Sequence, residues 1–152
     1  CGQGTHKSEL IKKCRLAELG FVEFIDPLPK SAIRSFLVTA DAFVVTMKET
    51  PLYQYGISFN KIFDYLAIGR PIVTATCAAK DPVVESGAGF AVKAEDPGQL
   101  ADALEDIARL PIEKRKELGR RGRDWVLRNN SFVSLSDRLE KVLEGANCLS
   151  GK

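Results

Sequence analysis

Three polar side chains that could bind a ligand share one face of a predicted helix. Asn60, Lys61 and Asp64 lie at i, i+1 and i+4. The opposite face is an apolar stripe of Phe59, Ile62, Phe63, Leu66 and Ala67. We predict that Ser58 caps the start of this helix and that Gly69 ends it.

The start of this helix has the chemistry of an anion site. Unpaired amides and the helix dipole favour a phosphate there, and Lys61 adds a positive charge. Asp64 comes six residues after Ser58, roughly 9 Å along the axis, where a carboxylate can accept the hydroxyls of a ribose. These residues predict a nucleotide-diphosphate site. The alternative is structural: Ser58 is only a cap, and Lys61 with Asp64 is an exposed i,i+3 pair.

The elements that position this helix alternate between short apolar runs and amphipathic stretches. We predict helices over 5–19 (ended by Gly20), 30–39, 58–69 and 81–86, and strands over Phe21–Ile25, Ala42–Thr46, Pro71–Ala75 and Gly89–Val92. The unbroken apolar runs at 42–46 and 71–75 predict strands in the centre of a parallel sheet. The helix at 58–69 then starts beyond the carboxyl end of strand 42–46, where open α/β sheets bind ligands.

The chain after residue 94 reads as helix only. Asp96-Pro97 opens a helix that continues to about Leu110, two more follow over Pro111–Arg128 and Ser131–Glu144, and the tail 145–152 should fray. The predicted fold class is α/β: one domain over 1–144 with a Rossmann-like, doubly wound parallel sheet and a helical C-terminal tail.

Composition excludes several classes of protein. The chain has 152 residues, 45% hydrophobic and 28% charged, and 22 basic against 20 acidic residues give a net charge of +2. That balance argues against a nucleic-acid binder with a broad basic face. Because no run of 18 apolar residues occurs, no membrane-spanning helix is predicted.

The cysteines indicate neither a metal site nor a disulfide framework. Cys1, Cys14, Cys77 and Cys148 form no C-x-x-C pair, and His6 is the only histidine. We therefore expect a cytoplasmic protein. No Asp-x-Asp pair is present to hold a cation, so no metal is expected.

The segment 56–75, GISFNKIFDYLAIGRPIVTA, resembles the donor-site segment of GT-B glycosyltransferases. The resemblance is to the large retaining group (glycosyl transferases group 1, family 4-like) that includes sucrose- and glycogen-synthase-like enzymes and mannosyltransferases. Bacterial surface-polysaccharide members carry G-x-S-x-N-K-x-x-[DE]-Y-x-A-x-G-x-P, which this segment meets throughout. Further segments agree in order, from residue 2 to about 143: Gly2-Gln3-Gly4, 24–28, Ala40-Asp41-Ala42-Phe43, 87–90 and Glu95-Asp96-Pro97.

The resemblance implies roles for individual residues. Asp64 stands where the family has a glutamate that holds the nucleotide ribose, and Gly2 and Gly4 match its phosphate-loop glycines. Gly56 stands where many members have a glutamate that contacts the donor sugar, so backbone amides of Ile57, Ser58, Phe59 and Asn60 would replace it. The turn formed by Ile25, Asp26, Pro27 and Leu28 would contact the edge of the nucleotide base, mainly through its backbone.

The implied function is that of a donor-binding domain. The chain resembles the C-terminal half of a GT-B fold, truncated at its N-terminus, in a retaining, hexosyltransferase-like enzyme of polysaccharide biosynthesis. Its donor would be a UDP-sugar or GDP-sugar, without a cofactor or metal. The acceptor, a cell-surface glycan or lipid-linked molecule, would bind through a missing N-terminal domain, so the fragment should be inactive alone. The sequence identifies no catalytic residue.

Two alternatives stay open. A GT-B-fold sugar-nucleotide epimerase half would share the diphosphate site but needs acid/base groups, and residues 53–64 offer no obvious candidate. A doubly wound signalling module needs an acidic cluster at the end of a strand, and only Asp41 lies near one.

The helix at 111–128 has a basic bias. It carries seven basic and three acidic residues, which suits either a solvated face or peripheral contact with anionic lipid on the inner membrane face. His6, in a first helical turn, is expected to be a surface residue.

Overall fold

A computed structural model describes residues 1–55, 57 and 59–149, apart from the side chains of Gln54 and 146–149. The chain forms two compact units, unit 1 over Cys1–Thr39 and unit 2 over Ala40–Lys152. Whether the two make up the single domain predicted over 1–144 stays a prediction.

Unit 1 consists of two short helices and extended connections. Helix α1 covers Lys7–Leu16 and α2 covers Lys30–Leu37. The strand predicted over Phe21–Ile25 is wrong, because residues 1–39, all of which the structure describes, contain no strand. An extended segment becomes a strand only by pairing with a neighbour. Without one, Phe21 remains 84% exposed.

The predicted end of α1 is also wrong. The helix ends at Leu16, with Ala17 as its C-cap, rather than at Gly20. Glu18 instead adopts the positive φ, at 53°. The amide of Leu19 donates to the carbonyl of Cys14 at 2.9 Å, which closes the helix before the glycine is reached.

Unit 2 is α/β, with a three-stranded parallel sheet flanked by helices and followed by C-terminal helices. The strands β1 (Phe43–Thr46), β2 (Ile72–Thr76) and β3 (Gly89–Lys93) lie in the order β1-β2-β3. Phe43 aligns with Ile72, and Ile72 aligns with Gly89. This arrangement confirms the α/β class and is consistent with half of a Rossmann-like GT-B fold.

The helices of unit 2 follow the predicted order. They are α3 (Asn60–Ile68), α4 (Pro82–Ser86), α5 (Pro97–Arg109), α6 (Ile112–Asn130) and α7 (Phe132–Leu149). A short 3₁₀ helix covers Pro51–Tyr55. The predicted cap of α5 is confirmed, since the Asp96 carboxylate accepts a 3.0 Å bond from the Gln99 amide. The predicted end of the last helix at Glu144 is wrong, because α7 continues to Leu149. The fraying expected over 145–152 stays a prediction.

The core of unit 2 lies around β2. Val73 is fully buried against Ala103 and Ile107 of α5. Its neighbour Thr74 points to the opposite face, where its hydroxyl donates to the carboxylate of Asp81 at the start of α4. The sheet is therefore covered on both faces at β2.

Strand β1 differs from its prediction. It pairs only with β2 among the described residues, so it is an edge strand of this sheet rather than a central one. Its burial alternates: Phe43 and Val45 are buried, whereas Val44 is 41% exposed. An apolar run alone does not distinguish a central strand from an edge strand.

Helix α6 packs very closely on the end of α3. An added Cβ on Gly119 would lie 2.0 Å from the carbonyl oxygen of Gly69, so only glycine fits there. Gly69 has a φ of 79° and is the C-cap of α3, as predicted. This contact fixes the direction of the helix that carries the candidate site.

Candidate nucleotide-binding site at the start of α3

The start of α3 lies at the carboxyl edge of the sheet in unit 2. The helix returns the chain from the carboxyl end of β1 to the amino end of β2. Its N-terminus therefore faces the side on which parallel sheets bind ligands. The Ile62 amide donates to the Phe59 carbonyl at 2.9 Å, so the amides of Asn60 and Lys61, which come before this first bond, are the ones that a ligand could use.

The N-cap differs from the predicted residue. Phe59, not Ser58, occupies the N-cap position, with extended φ and ψ of −90° and 123° and no side-chain cap bond. Its ring meets that of Tyr53 edge to face, with centroids 5.8 Å apart. Ser58 and Gly56 lie outside the described residues, and the neighbouring Ile57 is buried.

The polar face of α3 forms as predicted. Asn60, Lys61 and Asp64 are all exposed, whereas Ile62 and Leu66 are fully buried. Within the part of the chain that the structure describes, the Lys61 and Asp64 side chains make no ion pair or hydrogen bond with each other or with another residue. The structural alternative, an i,i+3 pair, is therefore not formed.

The apolar side of α3 is narrower than predicted. Ala67 is exposed, while Tyr65 stacks on Phe43 of β1, with ring centroids 4.2 Å apart and planes 11° from parallel. Burial of the Tyr65 phenol, together with the adjacent Asp64 carboxylate, raises the pKa of Tyr65. This stack holds the middle of α3 against the edge strand, and the helical pattern does not show it because it depends on a contact between the helix and a strand.

The cleft expected beside Lys61 and Asp64 stays a prediction. A cavity of about 590 Å³ opens at the carboxyl ends of β1 and β2, and its lining includes Thr46, Ala75 and Glu95. Glu95 has a positive φ of 59°, a conformation that few non-glycine residues adopt, and its carboxylate accepts the Glu49 amide at 3.1 Å. Sequence analysis named Glu95 only within the segment Glu95-Asp96-Pro97 and assigned it no role, since no local pattern signals its backbone conformation.

In unit 1, the glycine loop (Gly2-Gln3-Gly4) and the predicted base-contacting turn (residues 25–28) come together around Lys7, which sequence analysis did not single out. The Gly2 amide donates to the carbonyl of Ile25 at 3.0 Å, and Gly2 has a φ of 143°, which favours glycine. The Lys7 ammonium donates to the carbonyls of Gly2 and Ile25, both at 3.1 Å, and to Asp26 Oδ1 at 2.7 Å. The Gly4 carbonyl accepts the Lys7 amide at 3.0 Å, whereas Pro27 and Leu28 take part in no hydrogen bond among the described residues.

The Lys7 contacts set the electrostatics of the turn at 25–28. The hydrogen bond and charge of Lys7 lower the pKa of Asp26, whose side chain is 94% exposed. Lys7 thus fixes the backbone of the predicted base-contacting turn to the glycine loop. Pro27 lacks an amide proton, so the turn offers fewer donors than the family pattern would.

The basic helix α6 neutralises much of its own charge. Glu117 pairs with Lys114 and with Arg121, and Lys116 pairs with Glu113. The bonds from Lys114 and Arg121 lower the pKa of Glu117. The contact with anionic lipid stays a prediction. His6 is exposed and lies 3.4 Å from Glu9, in agreement with a surface role.

The described residues include no group of three or more His, Cys, Asp or Glu side chains placed to hold a metal ion. No helix within the described ranges is long and apolar enough to cross a bilayer. Asp41 precedes β1 and lies 3.8 Å from Arg115, so it is not at the carboxyl edge where a signalling module would need it.

The fold and the exposed polar face of α3 agree with the family to which the sequence profile assigns the chain. The profile of glycosyl transferases group 1 matches residues 1–109, more than half of the chain. The protein therefore belongs to the group 1 glycosyltransferases. A comparison with curated proteins finds no match.

Family membership supports transferase activity and implies a nucleotide-sugar donor and an acceptor substrate. The matched range covers both candidate segments of unit 1, the three strands of unit 2 and all of α3. The match favours a glycosyltransferase over the epimerase and the signalling module.

Proposed function

We propose that the chain is the donor-binding, C-terminal half of a retaining GT-B glycosyltransferase, with the donor diphosphate at the start of α3. The observation that carries the proposal is that Lys61 and Asp64 are both exposed and form no ion pair or hydrogen bond among the described residues. Both lie near the carboxyl edge of the sheet and within the range that the family matches.

Three sets of groups at the start of α3 would contact different parts of the donor. The first amides of α3 and the Lys61 ammonium would neutralise the diphosphate. The Asp64 carboxylate would accept the ribose hydroxyls one turn further along. The backbone from Ile57 to Asn60 would contact the donor sugar, since Gly56 supplies no carboxylate.

The proposed reaction transfers a hexosyl group from a UDP-sugar or GDP-sugar to a cell-surface glycan or lipid-linked acceptor. The bond from the anomeric carbon to the phosphate oxygen breaks and the nucleoside diphosphate leaves. The acceptor hydroxyl oxygen forms the new bond with retained configuration, and its proton passes to the leaving diphosphate. Because the helix amides and Lys61 would stabilise the leaving diphosphate, the proposal requires no metal. Nucleotide affinity should accordingly be equal with excess EDTA and with Mg²⁺.

Nucleotide titration by calorimetry or NMR tests the donor site, with UDP, GDP and ADP as separate arms. Asp64→Ala removes bonds worth about 1.5–3 kcal/mol each, so nucleoside, monophosphate and diphosphate should all bind roughly ten- to hundredfold more weakly. Lys61→Ala should weaken the diphosphate more than the nucleoside, because only the phosphates face its charge.

Matched controls are available on other helices of unit 2. Asp102→Ala on α5 and Lys116→Ala on α6 remove the same charges from exposed positions and should leave nucleotide affinity unchanged. If affinity is measurable and neither Asp64→Ala nor Lys61→Ala alters it, the donor site is not at α3.

A further inference from the structure

A second cavity of unit 2 lies among α3, α4, α6 and α7 and contains the single tryptophan of the chain. This tryptophan cavity has a volume of about 450 Å³ and is lined by residues that include Phe63, Lys80, Glu85, Trp125, Asn130 and Arg138. Its size falls within the range of about 300–1,000 Å³ that small-ligand sites occupy. Asn60, Lys61 and Asp64 are not among its lining residues.

The apolar part of the tryptophan cavity is aromatic. Trp125 and Phe63 are both half-buried, so each presents part of a rigid ring while the rest is held by the protein. The carbonyl of Trp125 accepts a 2.8 Å bond from the side-chain amide of Asn129, which fixes that amide at the wall. Such rings suit a ligand with one flat C–H face and polar edges.

The polar part carries charges that the protein leaves without ion-pair partners. The side chains of Lys80 and Glu85 make no hydrogen bond or ion pair within the described residues. Arg138 uses only its Nε, which donates to the carbonyl of Ser134 at 3.4 Å, and its terminal nitrogens stay available within the same ranges. Arg121, by contrast, pairs with Glu117 on the surface of α6.

The sign and type of these groups specify the ligand. Two cations and one carboxylate give the wall a net charge of +1, which favours an anion. Glu85 accepts hydrogen bonds only, whereas Asn130 both donates and accepts, so the wall also matches neighbouring hydroxyl groups. A ring with a C–H face, several hydroxyls and one negative charge satisfies every group named.

We propose that the tryptophan cavity binds an acidic saccharide. The sugar ring packs on Trp125, its hydroxyls bond to Glu85 and Asn130, and its anionic substituent lies between Lys80 and Arg138. In a glycosyltransferase such a site holds an acidic unit of the acceptor or product glycan. Ile57, whose backbone is assigned to the donor sugar, also lines this cavity, whereas Lys61 and Asp64 do not. The proposal rests on the side chains of Trp125, Lys80 and Arg138 and therefore does not depend on the donor site at α3.

Fluorescence of Trp125 in the whole chain tests the proposal directly, because no other tryptophan contributes. The probes are D-glucuronate, D-glucose and acetate at low ionic strength, where exposed charges are least screened. Glucuronate should change the emission saturably and bind about tenfold more tightly than glucose, because charge-assisted bonds are stronger than neutral ones. Acetate, which has no ring, should not compete at equal concentration.

Variants separate the charge from the fold. Arg138→Ala should weaken glucuronate about tenfold, leave glucose unchanged, and be partly rescued by Arg138→Lys. Arg128→Ala removes an exposed arginine of α6 that does not line the cavity and should change neither affinity. Lys80→Ala, in the loop before α4, gives a second variant if circular dichroism shows that Arg138→Ala disturbs α7.

Several results would overturn the proposal. They are the absence of a saturable change with either sugar, equal competition by acetate, an effect of Arg128→Ala as large as that of Arg138→Ala, or UMP binding that displaces glucuronate from the cavity. UDP titration of the same sample distinguishes the two proposals. UDP binding without glucuronate binding removes only the saccharide site, and the reverse removes only the donor site.

Discussion

The two units of the chain hold their residues together in different ways. None of residues 1–39, all within the described part, is buried, and the firmest contacts of unit 1 are the polar ones around Lys7. Unit 2 buries many apolar side chains, with Ile62, Leu66 and Val73 at zero exposure. Both units contain amphipathic helices, so helix formation alone does not make a core.

The difference shows what the parallel sheet contributes. Strands β1 to β3 bring residues from 43 to 93 into register, and this gives the helices of unit 2 a common surface to cover. In unit 1, α1 and α2 have no strand beneath them within residues 1–39. Stability in unit 2 should therefore depend on apolar packing, and in unit 1 on a few polar contacts.

The largest expected effect is the loss of core packing in unit 2. Leu66→Ala removes a fully buried side chain from α3 and should lower the free energy of unfolding by about 2–5 kcal/mol. Leu16→Ala makes the same change at a 77% exposed position of α1 and should alter it by about 0.5 kcal/mol or less. Urea denaturation followed by circular dichroism measures both. Equal effects would mean that the two units do not differ in this way.

The next effect concerns the close approach of α6 to α3. Gly119→Ala places a Cβ against the backbone of Gly69, which cannot move aside without displacing the end of α3, so a loss of about 1–3 kcal/mol is expected. Gly145→Ala, on exposed α7, meets no atom within 4 Å and should gain about 0.5–1 kcal/mol of helix stability. Urea midpoints of the two variants should move in opposite directions. A stable Gly119→Ala protein would show that the contact is loose.

The smallest effect is the charge contact of unit 1. Because Lys7 lowers the pKa of Asp26, NMR titration should place that pKa below the usual value of about 3.9. The stabilisation is then present above pH about 4 and lost as pH falls through the lowered pKa. Lys7→Met should return the pKa to its usual value, whereas Lys12→Met, at an exposed position of the same helix, should leave it lowered. An unchanged pKa in Lys7→Met would exclude the contact in solution.

Two of the helix ends that local capping residues mark could be predicted from the sequence, although Gly20 and Ser58 gave wrong ends for α1 and α3. Features that depend on partners distant in the sequence could not be predicted. Asp96-Pro97 marks the start of α5, and Gly69 marks the end of α3, because capping needs only neighbouring residues. The apolar segment Phe21–Ile25 has the composition of a strand but no partner in its unit. The same dependence explains why β1 could be predicted as a strand while its edge position could not.

The residues of the candidate site also differ in whether the sequence alone could predict them. The exposed face of Asn60, Lys61 and Asp64 follows from helical spacing, which the sequence displays. The role of Lys7 needs acceptors 5 to 19 residues away, and the stack of Tyr65 on Phe43 crosses from helix to strand. Neither contact has a local pattern, so only a three-dimensional structure could identify them.

The three hydrogen bonds of Lys7 also have a chemical consequence. An ammonium has three N–H groups, and those of Lys7 are directed at Gly2, Ile25 and Asp26, with only 20% of its side chain exposed. An acylating reagent reaches an amine only through a nitrogen lone pair, which Lys7 could expose only by breaking these bonds. Amine-reactive footprinting should therefore label Lys7 more slowly than its exposed neighbours Lys12 and Lys13. Acylation at Lys7 would remove its charge contact with Asp26 and leave the bond from the Gly2 amide to the Ile25 carbonyl to join the turn to the glycine loop.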